Sequence, residues 1–280
     1  MEMMDLQKMA SQVRRDIVRM VHAVSSGHPG GSLGCTDLLT YLYFNRLRYS
    51  SENFSMDGRN EDMFFLSNGH ISPVWYSVLA RAEFFPIAEL VTFRKLSSRL
   101  QGHPSTDKGL PGIRMASGSL GQGLSVSIGA ATSKRLNNDD KWVYCLMGDG
   151  ELQEGQVWEA AMYASARKMG NLIAIVDYNG RQIDGDLSEV LDISPLDQKW
   201  AAFGWDVYEM DGHDFTDMER VFKSIDANKA NNKPKAILMK TEMGQGVDFM
   251  MGTHKWHGSA PNDDQLAVAL NQLPETFGDY

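Results

Sequence analysis

Two short polar motifs, Gly148-Asp149-Gly150-Glu151 and Asp177-Tyr178-Asn179-Gly180, hold the residues of this chain best suited to chemistry. Each follows an apolar run, Trp142 to Met147 and Leu172 to Val176. Such runs predict short buried strands that end in loops. The intervening Glu154–Met169 segment is rich in Ala, Met and Glu and predicts a helix. Strand, helix and strand make a crossover unit, which places Asp149 and Asn179 at the carboxyl ends of neighbouring parallel strands, where open α/β sheets bind ligands. A carboxylate and an amide oxygen there suit a hard divalent cation that also carries phosphate oxygens. Gly148 and Gly150 allow the main chain to approach a diphosphate closely.

Five of the 7 histidines, His28, His70, His103, His254 and His257, fall in glycine-rich loops at predicted strand or helix ends. Imidazoles gathered there would donate, accept and relay protons near neutral pH. Zinc finds a pair in His254 and His257 but no third ligand at conventional spacing. The 2 cysteines, Cys35 and Cys145, sit in apolar surroundings and read as reduced core thiols.

The elements that must position these residues alternate. Helices are expected over Leu6–Val24, Thr36–Tyr43 (with Thr36 as cap), Pro73–Arg81, Pro86–Leu96, Leu120–Leu136 and Thr216–Ala227, with others beginning near Ser194-Pro195 and Pro261. Further strands are expected over Met63–Leu66, Trp205–Met210 and Ala236–Lys240. Ser25–Gly34, Gln101–Gly118, Asn179–Ser194 and Thr241–Ala260 read as loops, and irregular stretches of that length in a compact unit are usually functional. The alternation predicts an α/β fold, a parallel sheet sandwiched between helices, formed by residues 1–280 as one domain.

With 42% hydrophobic and 22% charged residues the chain can bury a sizeable core. Its net charge of −9 argues against a nucleic-acid or anionic-membrane surface. There is neither an apolar signal core nor a membrane-length apolar run, so a cytoplasmic location is expected.

Ser26-Gly27-His28-Pro29-Gly30, Ser67-Asn68-Gly69-His70, Gly102-His103-Pro104, Gly118-Ser119-Leu120-Gly121-Gln122-Gly123, the Gly148-Asp149-Gly150…Asn179 pair and His257-Gly258-Ser259-Ala260-Pro261 occur in this order. The series resembles the cofactor-binding amino-terminal third of transketolases, from about Asp16 to Pro261. The resemblance implies a thiamin-diphosphate-binding fold of the type that holds the diphosphate. It implies thiamin diphosphate and Mg²⁺ as cofactors, with Asp149, Asn179 and the Arg181 carbonyl as metal ligands. Gly150 would offer its N–H to phosphate, and Gly148 would line the same turn. Gly118 and Leu120 would face the aminopyrimidine and thiazolium rings, and Ile183 would pack beneath the bent cofactor. His28 and His103 would handle sugar hydroxyls and protons, and His70 and His257 would contact the diphosphate or the reacting groups. Arg94 also matches a family arginine, whereas His254 matches no family motif. Glu154 and Glu159 would lie at a subunit interface near the acid that activates the cofactor, with Glu154 among the catalytic residues. Two positions depart from the family: Ser119 stands where proline is usual, and Arg181 replaces an aliphatic residue, so its side chain is expected to point elsewhere.

Transketolases need a glutamate from a pyrimidine-binding domain, which follows the segment seen here. The resemblance therefore implies the amino-terminal subunit of a split transketolase, inactive alone. It would transfer a two-carbon ketol unit from a ketose to an aldose, in a heterotetramer with a carboxy-terminal subunit. The alternatives are a cofactor subunit of a 2-oxo-acid dehydrogenase, a 1-deoxyxylulose-5-phosphate-synthase-like enzyme, and a non-catalytic subunit that keeps the cofactor fold.

Overall fold

The computed structural model describes residues 1–280. Helix α1 (Met3–Ala23) opens the chain and is followed by α2 (Pro29–Gly34) and α3 (Thr36–Tyr41). Then come β1 (Met63–Leu66), α4 (Ser72–Arg81), α5 (Gln122–Leu136), β2 (Val143–Gly148), α6 (Gly155–Ala166) and β3 (Leu172–Tyr178). A small hairpin, β4 (Arg181–Gln182) and β5 (Gly185–Asp186), leads to α7 (Leu187–Val190), α8 (Leu196–Ala202), β6 (Asp206–Asp211), α9 (Phe215–Ala227), β7 (Lys235–Lys240) and α10 (Asp263–Gln272).

The five long strands form one sheet in the order β1-β2-β3-β7-β6, and every pair is parallel. Strands buried on both faces alternate between two cores. Phe64, Tyr144, Leu146, Ile173 and Ile237 enter one core, which is completed by α1, α3, α4, α9 and α10. Phe65, Val143, Cys145, Ala174 and Leu238 enter the other, under α5, α6 and α8. The crossover expected between β2 and β3 is present, with α6 between them and Gly148 in register with Asp177. Asp149 and Asn179 therefore follow adjacent strand ends. All five strands deliver their carboxyl ends to one edge, where Asn68, Asp149, Asn179, Glu242 and His213 lie in the loops that follow.

Helix α1 buries Leu6, Val13, Ile17 and Val21 at helical spacing. It also buries Asp16, which takes Arg81 Nε at 2.6 Å, Arg81 Nη2 at 2.8 Å and Ser77 Oγ at 2.6 Å. The two cysteines are buried in opposite cores, Cys35 in the first and Cys145 in the second, and both are free thiols.

Several local expectations are corrected. The Ser25–Gly34 segment contains α2, because its glycines serve close packing: a Cβ on Gly30 would lie 2.6 Å from Met243 Cγ. Thr36 is the first residue inside α3 rather than its cap, and its Oγ1 donates back to Ser32 O at 2.9 Å. The helix expected over Pro86–Leu96 is a 3₁₀ turn, Ile87–Thr92. Phe93 leaves helical geometry there, and Arg94 (φ 56°) and Ser97 (φ 64°) take left-handed conformations.

Candidate active site

A cavity of about 280 Å³ opens at the carboxyl edge of the sheet. Of the residues expected there, His28, His70, His257, Gly118, Leu120, Gly148, Asp149, Gly150, Glu154, Asn179, Arg181 and Ile183 all line it. His103 stands at its rim, with its ring centroid 6.4 Å from that of His28. His254 belongs to the 3₁₀ turn His254–Trp256 and is not part of the lining. Glu159 is exposed on α6, away from the cleft.

Asp149 is 2% exposed and bridges the two strand ends. Its Oδ1 accepts from Gly150 N at 2.7 Å and its Oδ2 from Gly180 N at 2.6 Å. A phosphate would therefore compete with Asp149 for the Gly150 N–H. Burial, helped by the neighbouring Asp177 charge, pushes the Asp149 carboxyl up to about 7. A bound cation would reverse that balance. Asp177 is itself committed, accepting from Thr241 Oγ1 and Asn179 Nδ2. With its amide nitrogen fixed 2.9 Å from Asp177, Asn179 presents Oδ1 on the other side, where Arg181 N donates at 2.9 Å. The Arg181 side chain turns away from this turn and pairs with Glu242, Nη1 to Oε1 at 2.7 Å.

Three histidine rings converge on the other wall, with His103 at its rim. His28 lies 5.0 Å from His70 and 5.6 Å from His257, and His70 lies 5.1 Å from His257. Burial, together with His257, Arg94 and His103, pushes His28 down to about 4. Burial also lowers His70 well below its ordinary value, and lowers His103 and His257. All four rings are therefore neutral at pH 7, able to accept as well as donate. Arg94 has no carboxylate partner: its Nη1 donates to Ser26 Oγ at 2.8 Å, and its charge acts on His28 and His103.

The donor set fits a diphosphate cofactor with a divalent cation. His28 Nδ1, His257 Nδ1 and Asn68 Oδ1 are buried without a partner in the chain. No group of three or more His, Cys, Asp or Glu side chains is arranged to hold a metal. The protein offers one carboxylate, one amide oxygen and main-chain oxygens, and a diphosphate would complete the set.

Sequence reasoning missed Glu151, Asn68, Asp177, Gln182 and Met243, which also line the cavity. Glu151 is 2% exposed. Its Oε1 accepts from Gly121 N at 2.8 Å and from Ser67 Oγ, and its Oε2 accepts from Gly148 N at 3.1 Å. Ser67 Oγ takes Gly123 N at 3.0 Å, and a Cβ on Gly123 would lie 2.3 Å from Ser67 Cβ. This clamp joins the 118–123 loop to the Asp149 turn. Glu151 and Asn68 lie inside motifs visible in the sequence, but only burial separates them from surface polar residues. Gln182 and Met243 carry no such signal.

Residues 6–276 match the family described as "Transketolase, thiamine diphosphate binding domain". The chain belongs to the transketolase family. Among its relatives is one subunit of the apulose-4-phosphate transketolase of Phocaeicola vulgatus, 37% identical over 275 residues, which cover 98% of this chain and 96% of that one. Another is a 6-deoxy-6-sulfo-D-fructose transketolase subunit from a Clostridium species, 37% identical over 272 residues and covering 97% of each chain. The crystal structure of transketolase from Campylobacter jejuni superposes with a TM-score of 0.88 at 32% identity, covering 98% of this chain but 43% of that one. This transketolase chain thus corresponds to the amino-terminal part of single-chain transketolases and to nearly the whole of separate subunits. The match favours the transketolase reading over a 2-oxo-acid dehydrogenase, a 1-deoxyxylulose-5-phosphate synthase or a cofactor-fold regulator.

Proposed function

We propose that this chain is the thiamin-diphosphate- and Mg²⁺-binding subunit of a two-chain transketolase, acting as a single cofactor domain in the cytoplasm. It would transfer a two-carbon ketol unit between sugars that carry an anionic group, as the names of both relatives suggest. The observation that carries the reading is the cleft in which Asp149 and Asn179 face three neutral histidines, with His103 at its rim. Asp149, Asn179 Oδ1 and the Arg181 carbonyl would hold the cation. Thiamin diphosphate, when bound, supplies a thiazolium carbon able to stabilise a carbanion. The chain's own residues do the rest. Gly118 and Leu120 wall the cofactor, and Ile183, 61% exposed at the tip of the β4–β5 hairpin, offers an apolar surface to it. His28, through its buried unpartnered Nδ1, orients sugar hydroxyls, and His257, through its own, meets the diphosphate or the reacting groups. His103 at the rim takes or returns the proton of a sugar hydroxyl, and His70 supports the diphosphate side.

Glu154 lines the cleft and is exposed, as is Glu159. Val126, Met162 and Tyr163 on α5 and α6 are 41%, 52% and 48% exposed, apolar groups that a carboxy-terminal subunit with a pyrimidine-binding domain would cover. Two copies of each subunit would give a heterotetramer. The test is reconstitution with such a subunit from the same organism. Ketol transfer should require both chains, Mg²⁺ and thiamin diphosphate, and light scattering should report the mass of two plus two. Robust turnover by this chain alone would overturn the reading.

A further inference from the structure

Arg181 is tied at both ends. Its N–H donates to Asn179 Oδ1 within the turn after β3, while its guanidinium reaches Glu242 in the loop after β7. The two side chains are 19% and 33% exposed, so the pair is largely shielded from water. The same Glu242 Oε1 also accepts from Gly252 N at 2.8 Å. Glu242 is itself anchored from behind. Its N–H donates to His213 Nε2 at 2.8 Å, His213 Nδ1 lies 2.8 Å from Asp37 Oδ2, and Asp37 takes Arg14 Nη2 at 2.6 Å. Because Nε2 accepts, the His213 proton sits on Nδ1 and points to Asp37.

The segment beyond packs through Trp256 against Phe249 and the first core but has few polar ties. Residues 252–257, which deliver His257 to the cleft, have two hydrogen bonds to the rest of the chain: Gly252 N to Glu242, and Trp256 Nε1 to Phe249 O at 2.9 Å. Phe249 belongs to the same excursion between β7 and α10. The Glu242 carboxylate is thus the polar tie that fixes this segment to the sheet, and Arg181 is the cation that fixes the carboxylate.

We propose that the Arg181–Glu242 pair is a latch coupling the Asn179 turn to the His257 segment, so that a cation-bound diphosphate and a correctly placed His257 are retained or lost together. Arg181 and Glu242 act here as positioning residues, through side chains that pair with each other. The cofactor half of this inference rests on the proposed function, whereas the coupling of the two loops does not.

Amide hydrogen exchange on the full chain tests the coupling in wild type, Arg181→Met, Glu242→Ala, the double variant and Arg181→Lys. Exchange across residues 252–257 should rise about tenfold in either single variant and no further in the double, the signature of residues acting as one unit. Amides of β2 and β3 should keep their protection, and Arg181→Lys should recover part of the loss. Unchanged exchange at 252–257, or an equal rise throughout the sheet, would overturn the latch. Calorimetric titration with Mg²⁺ and inorganic diphosphate tests the second half, with affinity falling about tenfold alike in Arg181→Met and Glu242→Ala. Wild-type affinity in both variants would sink that half. If the wild-type chain itself binds no Mg²⁺-diphosphate, the cofactor reading falls, and the exchange data alone judge the loop coupling.

Discussion

Replacing Glu151 by glutamine alters one atom of the clamp under the Asp149 turn and tests whether that clamp holds the cleft together. Three donors converge on the carboxylate: Gly121 N, Gly148 N and Ser67 Oγ. Burial pushes the Glu151 carboxyl upward, while the three donors favour its ionised form and oppose that shift. In Glu151→Gln the amide oxygen can serve Gly121 and Ser67, but the NH₂ must then face the Gly148 N–H. A lost charge-assisted bond and an unpaired donor cost about 3 kcal/mol, and relief from burying a charge returns about 1, leaving a net loss of about 2 kcal/mol. Glu151→Ala strands all three donors and should lose about 4 kcal/mol or more. Urea unfolding followed by circular dichroism measures both. For a chain of this size the glutamine variant should melt about 4 °C lower. Thiamin diphosphate should bind more weakly in both variants, because the clamp carries Gly118 and Leu120. Stability of Glu151→Gln within about 0.5 kcal/mol of wild type would refute the clamp, showing that the donors find other partners.

Asp149→Ala should abolish Mg²⁺-dependent cofactor binding in the reconstituted enzyme while the far-ultraviolet spectrum is retained; unchanged calorimetric affinity would remove Asp149 from the metal site. His28→Ala and His103→Ala should keep cofactor affinity but lose about 10²–10⁴-fold in turnover, the scale of general acid–base catalysis; wild-type ketol transfer by both would end their substrate role. The histidine cluster also predicts an acid limb in the stability of the free chain. His28 falls from an unfolded value near 6.5 to about 4. The unfolded chain therefore binds more protons than the folded one between these limits, and stability rises with pH through that window and is lost as pH falls below about 6.5. Discounted for partial solvent exposure, His28→Asn should remove about 1 kcal/mol of the loss between pH 7.5 and pH 5 in urea unfolding, and an unaltered pH slope would contradict the assignment.

The strands were legible because β2 and β3 are uninterrupted apolar runs, and the helix between them marks a parallel crossover; which strands flank that pair was not. Asp149 and Asn179 could be placed from sequence for the same reason: each lies in the polar turn that closes a buried strand. Elements governed by contact rather than pattern were hidden. Helix α2 reads as a loop because its glycines answer to Met243 and Glu242, residues more than two hundred positions away. The Pro86–Leu96 helix is cut short by a main chain that bends to place Arg94 beside His28 and His103, and composition carries no trace of that bend. Glu151 and Glu154 sit three positions apart on one turn. One is buried as an acceptor and the other exposed in the cleft, a difference to which Ser67 and Gly121, both distant in sequence, contribute two of the three donors.

The scarcity of free oxygen ligands at the Asp149 turn bears on how the proposed holoenzyme would assemble in a cell. One carboxylate with amide and main-chain oxygens is a poor chelator of a hard cation, so free Mg²⁺ would gain little by binding the empty protein. The diphosphate would bring the missing oxygens. By thermodynamic reciprocity each ligand then raises the other's affinity by the same factor. The pool of apoprotein would then stay free of Mg²⁺, and a fall in cofactor supply would empty both ligands at once. The cofactor, and not the abundant ion, would become the quantity that sets how much enzyme is active.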